Sequence, residues 1–225
     1  MKSYPLILTA PLVRAALDGS KTQHRVPIKP QPAQVERWAA GMPTNMTDAK
    51  HTVLRGPDGR GWACCGPFRC PFGVPGDTLY VKESHAWVDY LVGSELDDPV
   101  CVAFKADQTA YSFAGGKPVK LDTYAWPWDR IKWRSPALMP RWASRLTLAV
   151  ESVRVQRVQD ISEEDARAEG MPWSDGNPGS FGPRYMVVAA QNVFRHSWYA
   201  KHGADSWTRN DWVFALTFKC TEGER

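Results

Sequence analysis

The stretch Ser144-Arg145-Leu146-Thr147-Leu148-Ala149-Val150-Glu151-Ser152-Val153-Arg154-Val155-Gln156-Arg157-Val158 decides the architecture of this chain. Leu146, Leu148 and Val150 recur at the two-residue period of a strand, whose successive side chains face opposite sides of a sheet. Val153 and Val155 resume the alternation one residue out of phase. That slip between Val150 and Val153 predicts a β-bulge or a bend. Directly after it, Gln159-Asp160-Ile161-Ser162-Glu163-Glu164-Asp165 reads as a helix start, with Ser162 as N-cap and Asp165 in a capping-box-like position. The helix runs to Glu169 and stops at Gly170. A long strand feeding a short capped helix is the unit around which the other elements must be arranged.

Working outward, Tyr4 to Ala10 reads as a buried strand, followed by a helix that Pro11 opens and Asp18-Gly19 closes. Lys21 to Ile28 follows as a strand. The turn Pro75-Gly76-Asp77 leads into the strand Thr78 to Glu83, and Val100 to Lys105 has strand composition. A helix is expected over Tyr185 to Lys201, and Trp212 to Lys219 alternates well enough to predict a central final strand. Between these lie three irregular insertions rich in proline and glycine, at about 31–75, 89–140 and 172–183, within one domain spanning 1–225. The class is α+β, and short strands interrupted by single helices suit a small mixed β-barrel with flanking helices.

Composition narrows the function classes. Of 225 residues, 43% are hydrophobic and 23% charged, as in an ordinary globular protein. Eleven tryptophans are more than one core absorbs, so several should line a surface or groove. A net charge of +4 favours polyanionic partners without requiring them. No apolar run approaches the roughly 20 residues of a membrane helix. Met1 to Pro11 lacks the pattern of a signal peptide, so a cytoplasmic protein without a membrane partner is expected. Five cysteines, an odd number, suit a reducing compartment. Cys64, Cys65 and Cys70, with His51 upstream, depart from the Cys-x-x-Cys spacing of zinc knuckles, and neither metal nor cofactor is expected. The phosphate-cradling Gly-x-x-x-x-Gly-Lys loop, the Gly-x-Gly-x-x-Gly turn and the Gly-x-Ser-x-Gly elbow are missing from the sequence, which argues against an NTPase, a dinucleotide enzyme and an α/β-hydrolase.

Four groups of residues could carry chemistry. Lys21, Thr22, His24 and Arg25 open a strand. If it is regular, Lys21, Gln23 and Arg25 share one face and could clamp a phosphate, or could equally form a solvated basic turn. Glu83, ending the strand after the Pro-Gly-Asp turn, is placed to bind a base edge or to pair with Arg25, while Glu169 ends the helix that follows the long strand. Trp126, Trp128, Trp133 and Trp142 are interleaved with Arg130, Lys132, Arg134, Arg141 and Arg145. Such interleaving suits single-stranded nucleic acid, with charge for the backbone and flat faces for bases. It also suits an insertion anchored by tryptophans whose arginines reach outward.

In chain order, Gly19-Ser20-Lys21-Thr22-Gln23-His24-Arg25, Cys70-Pro71-Phe72-Gly73 with Pro75 to Glu83, Met139-Pro140-Arg141-Trp142-Ala143-Ser144-Arg145 with the strand and Gln159 to Ala166, and the closing strand around Trp212 resemble the ASCH superfamily, particularly its long phage and prophage variants. That resemblance implies a PUA-like barrel associated with nucleic acid or nucleotides. In the small ASCH proteins that are acetylcytidine amidohydrolases it implies a lysine, a threonine nucleophile and a glutamate. Lys21 and Glu169 match the first and last, whereas His24 occupies the threonine position. The first expectation is therefore binding of a nucleic acid or modified nucleotide in a cleft between Lys21-Arg25 and Glu83, with Thr22, Arg141, Trp142 and Arg145 contributing. The alternative is a hydrolase, an amidohydrolase or a nuclease, using Lys21, His24 and Glu169. Acetylcytidine hydrolysis is expected to be absent or weak, and to rise in His24→Thr.

Overall fold

The computed structural model describes residues 1–29, 31, 70–88, 101–113, 118–121, 128–175, 187–203 and 205–221. Its principal sheet has five strands: β1 (Ser3–Ile7), β2 (Gln23–Pro27), β3 (Thr78–Lys82), β8 (Thr147–Arg157) and β11 (Trp212–Thr221), in the spatial order β1-β3-β8-β11-β2. Only β1 and β3 run parallel; the remaining neighbours are antiparallel. The long strand read from Ser144 to Val158 is the middle of this sheet. Its predicted slip is real: Ser152 faces Thr217 and Val150 faces Phe218, so Glu151 is left over as the extra residue of a bulge. The bulge lets Leu146, Leu148, Val150 and Val153 all enter one core, with Leu6, Leu79, Phe214, Leu216 and Phe218.

A closed barrel does not form. Among the described residues β1 and β2 are the outermost strands of the principal sheet, and each carries a proline, Pro5 and Pro27, that cannot donate to a further strand. Alternation reports which face is buried but not whether a sheet closes on itself.

The insertion expected at 89–140 is also more regular than its composition suggests. Its strands β5 (Cys101–Phe104), β6 (Thr109–Ser112) and β7 (Val119–Lys120) join β4 (His85–Val88), which precedes it, in an antiparallel four-stranded sheet with a small core of Val102, Phe104, Met139 and Ala143. The expected helix over Tyr185 to Lys201 starts later. Val187–Val188 is a short strand, β10, paired with β9 (Ser174–Asp175), and the helix α3 spans Ala190–His202. Two adjacent β-branched residues favour extended backbone over a helix start.

Helix α1 (Ala10–Leu17) packs Val13 and Ala16 into the main core. Helix α2 (Glu163–Ala168) is N-capped by the Ser162 hydroxyl, which accepts from the Asp165 amide at 3.0 Å. Together with α3 and α4 (Asp205–Thr208), α2 covers a second core of Val158, Ile161, Ala166, Phe194, Trp198 and Val213. No helix among the described residues is long and apolar enough to cross a membrane.

Candidate functional site

The backbone that links the end of α1, the start of β2 and the end of α2 is tightly determined. Gly19 turns the chain at a φ of +83°, the Lys21 amide donates to the Ala15 carbonyl, and the Thr22 amide donates to Ala168. Lys21 and Glu169 form an isolated antiparallel bridge at the outer edge of β2. Gly170 lies at a φ of +79°, and a Cβ there would come within 2.9 Å of the Ala15 Cβ and 3.1 Å of the Lys21 Cβ. Glycine at 170 is thus required both by conformation and by space.

This framework gathers Lys21, His24 and Arg25 around one carboxylate. The Lys21 ammonium donates to Glu169 Oε2 at 3.0 Å and to the Glu169 carbonyl at 2.9 Å, and His24 Nδ1 lies 3.7 Å from the same Oε2. Arg25 Nη1 donates to the other oxygen, Oε1, at 3.1 Å. His24 and Arg25 are strand neighbours that point to opposite faces of the sheet, opposite Leu216 and Ala215. His24 approaches Phe72 on the main-core side, whereas Arg25 lies over Phe194 of α3. Glu169 stands off the strand edge and divides its oxygens between the two faces. Lys21 joins His24 at Oε2, so the expected sharing of one face by Lys21, Gln23 and Arg25 holds only for Gln23 and Arg25. Their common partner is Asp165, which accepts from Gln23 Nε2 at 2.8 Å and from Arg25 Nη2 at 2.6 Å. Arg154 reaches the same carboxylate at 3.2 Å.

Asp165 is a residue that sequence reasoning missed in this role. Its four-residue spacing from Glu169 on a helix was the available signal, because side chains at that spacing share a face. Reading Asp165 as a capping residue obscured it.

Lys21, His24, Arg25 and Glu169 are all buried. Burial works against the Glu169 charge, but Lys21, His24 and Arg25 outweigh it and hold the carboxyl well below its usual range. Burial also draws the Lys21 ammonium down against the opposing pull of Glu169. His24 is pushed down to about 4, first by burial and with Lys21 adding to the shift, so its ring is neutral at pH 7. His24 Nδ1 is buried without a hydrogen-bond partner among the described residues. Lys201, on α3, acts on this group electrostatically, depressing both Lys21 and His24. A cleft of about 440 Å³ adjoins the Lys21–Glu169 bridge, lined by Gly19, Ser20, Thr22, Arg167, Gly170 and Trp173. Thr22 is exposed there, and the Arg167 guanidinium lies 3.9 Å over the Trp173 ring.

Glu83 is not part of this cluster, and the expected pairing with Arg25 does not occur. Both Glu83 oxygens accept from Arg145, at 2.9 and 3.0 Å. Arg145 also donates to both Asp107 oxygens and to the Thr109 hydroxyl, at 2.7–2.9 Å. These contacts use all five guanidinium N–H groups, while Phe104 lies 4.2 Å beneath the plane. Neither residue has a free edge for a ligand. Arg141 and Trp142, by contrast, are exposed. Trp128 and Trp133 stack on one another with an interplanar angle of 2°. Trp126, His51, Cys64 and Cys65 lie outside the described residues; Cys70 is a half-buried free thiol that burial pushes up to about 11. Among the described residues no group of three or more His, Cys, Asp or Glu side chains is arranged to hold a metal ion.

Compared with protein-family models, curated proteins and solved structures, the chain matches none.

Proposed function

We propose that Lys21, His24 and Glu169 form the working site of a hydrolase that cleaves an amide on a modified nucleoside or nucleotide. The observation that carries this reading is the convergence of a lysine and a neutral histidine on one oxygen of one buried carboxylate. Three buried groups with perturbed protonation, two from the start of β2 and one from the end of α2, are the features of a reacting site, and a cleft lined by their chain neighbours Thr22, Ala168 and Gly170 lies beside them. The resemblance to ASCH proteins supplies the substrate class. A phosphate clamp draws less support, because Arg25, the planar fork such a clamp needs, is already engaged by Glu169 and Asp165.

The chemistry follows from the donor set. Water attacks the acyl carbon while neutral His24 takes its proton, so no covalent enzyme intermediate is needed where threonine is missing. The Lys21 ammonium, which donates to the Gln23 and Glu169 carbonyls and to Glu169 Oε2, exchanges one of these acceptors for the oxyanion that develops on the carbonyl oxygen. Collapse breaks the C–N bond, the proton returns to the leaving amine, and a carboxylate and the free base are released. Glu169 orients Lys21 and holds it charged through the step.

The test is release of free nucleoside from a panel of N-acylated nucleosides, acetylcytidine included, followed by chromatography. Turnover by the native chain that falls by at least about 100-fold in both Glu169→Gln and Lys21→Met is the expected outcome. Absence of turnover across the panel by a folded protein overturns the reading. His24→Thr separates the routes: a gain in rate would show that the site takes a hydroxyl nucleophile better than a base.

A further inference from the structure

The second sheet carries a surface that the Lys21 cluster does not use. Trp142 stands in the 3₁₀ turn Arg141–Ala143, and 51% of its surface is exposed. Its indole stacks on Trp87 of β4, with ring centroids 5.3 Å apart and planes inclined by 25°, and Phe113 closes on it edge-first at 5.6 Å. Trp87 and Phe113 in turn rest on the small core of Val102, Phe104, Met139 and Ala143. The platform is therefore supported from beneath, and half of the Trp142 surface is left open to solvent.

The adjoining chain is strongly basic. Arg130, Lys132, Arg134 and Arg141 are all exposed between residues 128 and 142, where Asp129 is the single carboxylate. The Arg134 amide donates to the His85 carbonyl at 2.7 Å, and the two residues form a bridge that lays the basic segment along β4. His85 packs edge-on against Trp87 at 5.4 Å. Arg134 is thereby placed two residues along the strand from the stacked pair, and Arg141 precedes Trp142 directly. A second aromatic stack, Trp128 on Trp133, lies within the same segment.

We propose that this face binds single-stranded nucleic acid, with Trp142 stacking an unpaired base and Arg134 and Arg141 contacting the flanking phosphates. An exposed indole has a face that every base can use, and the exposed Arg134 and Arg141, the latter 5.7 Å over the Tyr80 ring, supply attraction for a continuous backbone. A duplex keeps its bases stacked on each other and has no free base face to offer. Arg145, close in sequence, takes no part, because its guanidinium is filled by Glu83, Asp107 and Thr109.

Fluorescence anisotropy with labelled 15-nucleotide single strands, thymidine and uridine homopolymers, and a 15-base-pair duplex tests this. The single strands are expected to bind at least tenfold more tightly than the duplex at equal salt. Trp142→Ala should weaken single-strand binding about tenfold or more, Trp142→Phe should recover part of it, and Arg134→Gln with Arg141→Gln should flatten the salt dependence. Affinity unchanged in Trp142→Ala, or a duplex bound as tightly as a single strand, overturns the proposal. Glu169→Gln is expected to bind the strands like the native chain. The platform and the hydrolase can therefore fail separately.

Discussion

Two buried ion clusters in this protein use similar residues to opposite ends. Around Arg145, one guanidinium meets two carboxylates and a hydroxyl, every N–H has its acceptor, and an aromatic ring closes one side. Around Glu169, one carboxylate is shared by a lysine and an arginine, a histidine stands just outside hydrogen-bond range, and that ring nitrogen has no partner among the described residues. The first cluster ties residues following β3 and β5 to the start of β8, and it is complete. In the second, Lys21 donates to three acceptors and Arg25 to Gln23, Glu169 and Asp165, and the unfilled group is the His24 ring nitrogen. A saturated buried network specifies structure, whereas an unsaturated one retains a group that a substrate or water can engage.

The largest expected effect tests the first half of that contrast. Arg145→Leu leaves Glu83 buried without its partner and should lower unfolding free energy by about 3–5 kcal/mol, read from urea denaturation. Turnover per folded molecule should be unchanged. A loss below about 1 kcal/mol would mean that the clasp is not structural.

Glu169→Gln tests the other half. The amide keeps an oxygen for one cation but loses the charge, so stability should fall by about 2 kcal/mol while hydrolysis disappears. If stability falls as far as in Arg145→Leu and activity persists, the two clusters are the same kind of structure.

The pH dependence sharpens the comparison further. His24 sits at about 4 in the folded protein, against an ordinary 6.5. Below 6.5 the unfolded chain takes up a proton that the folded chain refuses, so stability is full above pH 6.5 and is lost as pH falls towards 4. Glu169, also depressed, adds loss in the same direction once pH drops below its ordinary 4.5. His202 is lowered to about 4 as well and contributes over the same window. Chemical denaturation between pH 7 and 4 should therefore show a shallower decline in His24→Thr than in the native chain. Equal slopes would place the His24 ring in contact with solvent.

The smallest effect calibrates the others. Glu163, on the same helix as Asp165 and Glu169, accepts from the Ala190 and Gln191 amides at 2.8 and 3.1 Å and so caps α3 from a neighbouring element. Glu163→Gln should reduce stability by at most about 1 kcal/mol, measured by thermal unfolding, without altering turnover.

Much of the fold and part of the site can be read from residue order alone. The alternation from Leu146 to Val155, broken at one point, locates both the middle strand and its bulge, since side-chain direction along a strand follows directly from position. Ser162 as a cap and Gly19 and Gly170 as turning points follow from local backbone preference. Lys21, His24 and Glu169 were legible as candidates for one reaction, and the structure brings them together. Partner choice was not legible. Glu83 is matched with Arg145 across 62 positions, and Arg25 with Asp165 across 140, through tertiary packing that no local spacing encodes.

Sequence by itself determined the α+β class, the run of strands from Thr78 and Thr147, and a basic, tryptophan-rich segment before Arg145, because each rests on periodicity or composition within a few residues. Tertiary structure alone decided that the principal sheet stays open, that Arg145 is a buried clasp while Arg141 and Trp142 face solvent, and that one carboxylate collects Lys21, His24 and Arg25. The physical reason is the same in each case. Burial and ion pairing depend on which surfaces meet, and surfaces meet through contacts between residues far apart in the chain.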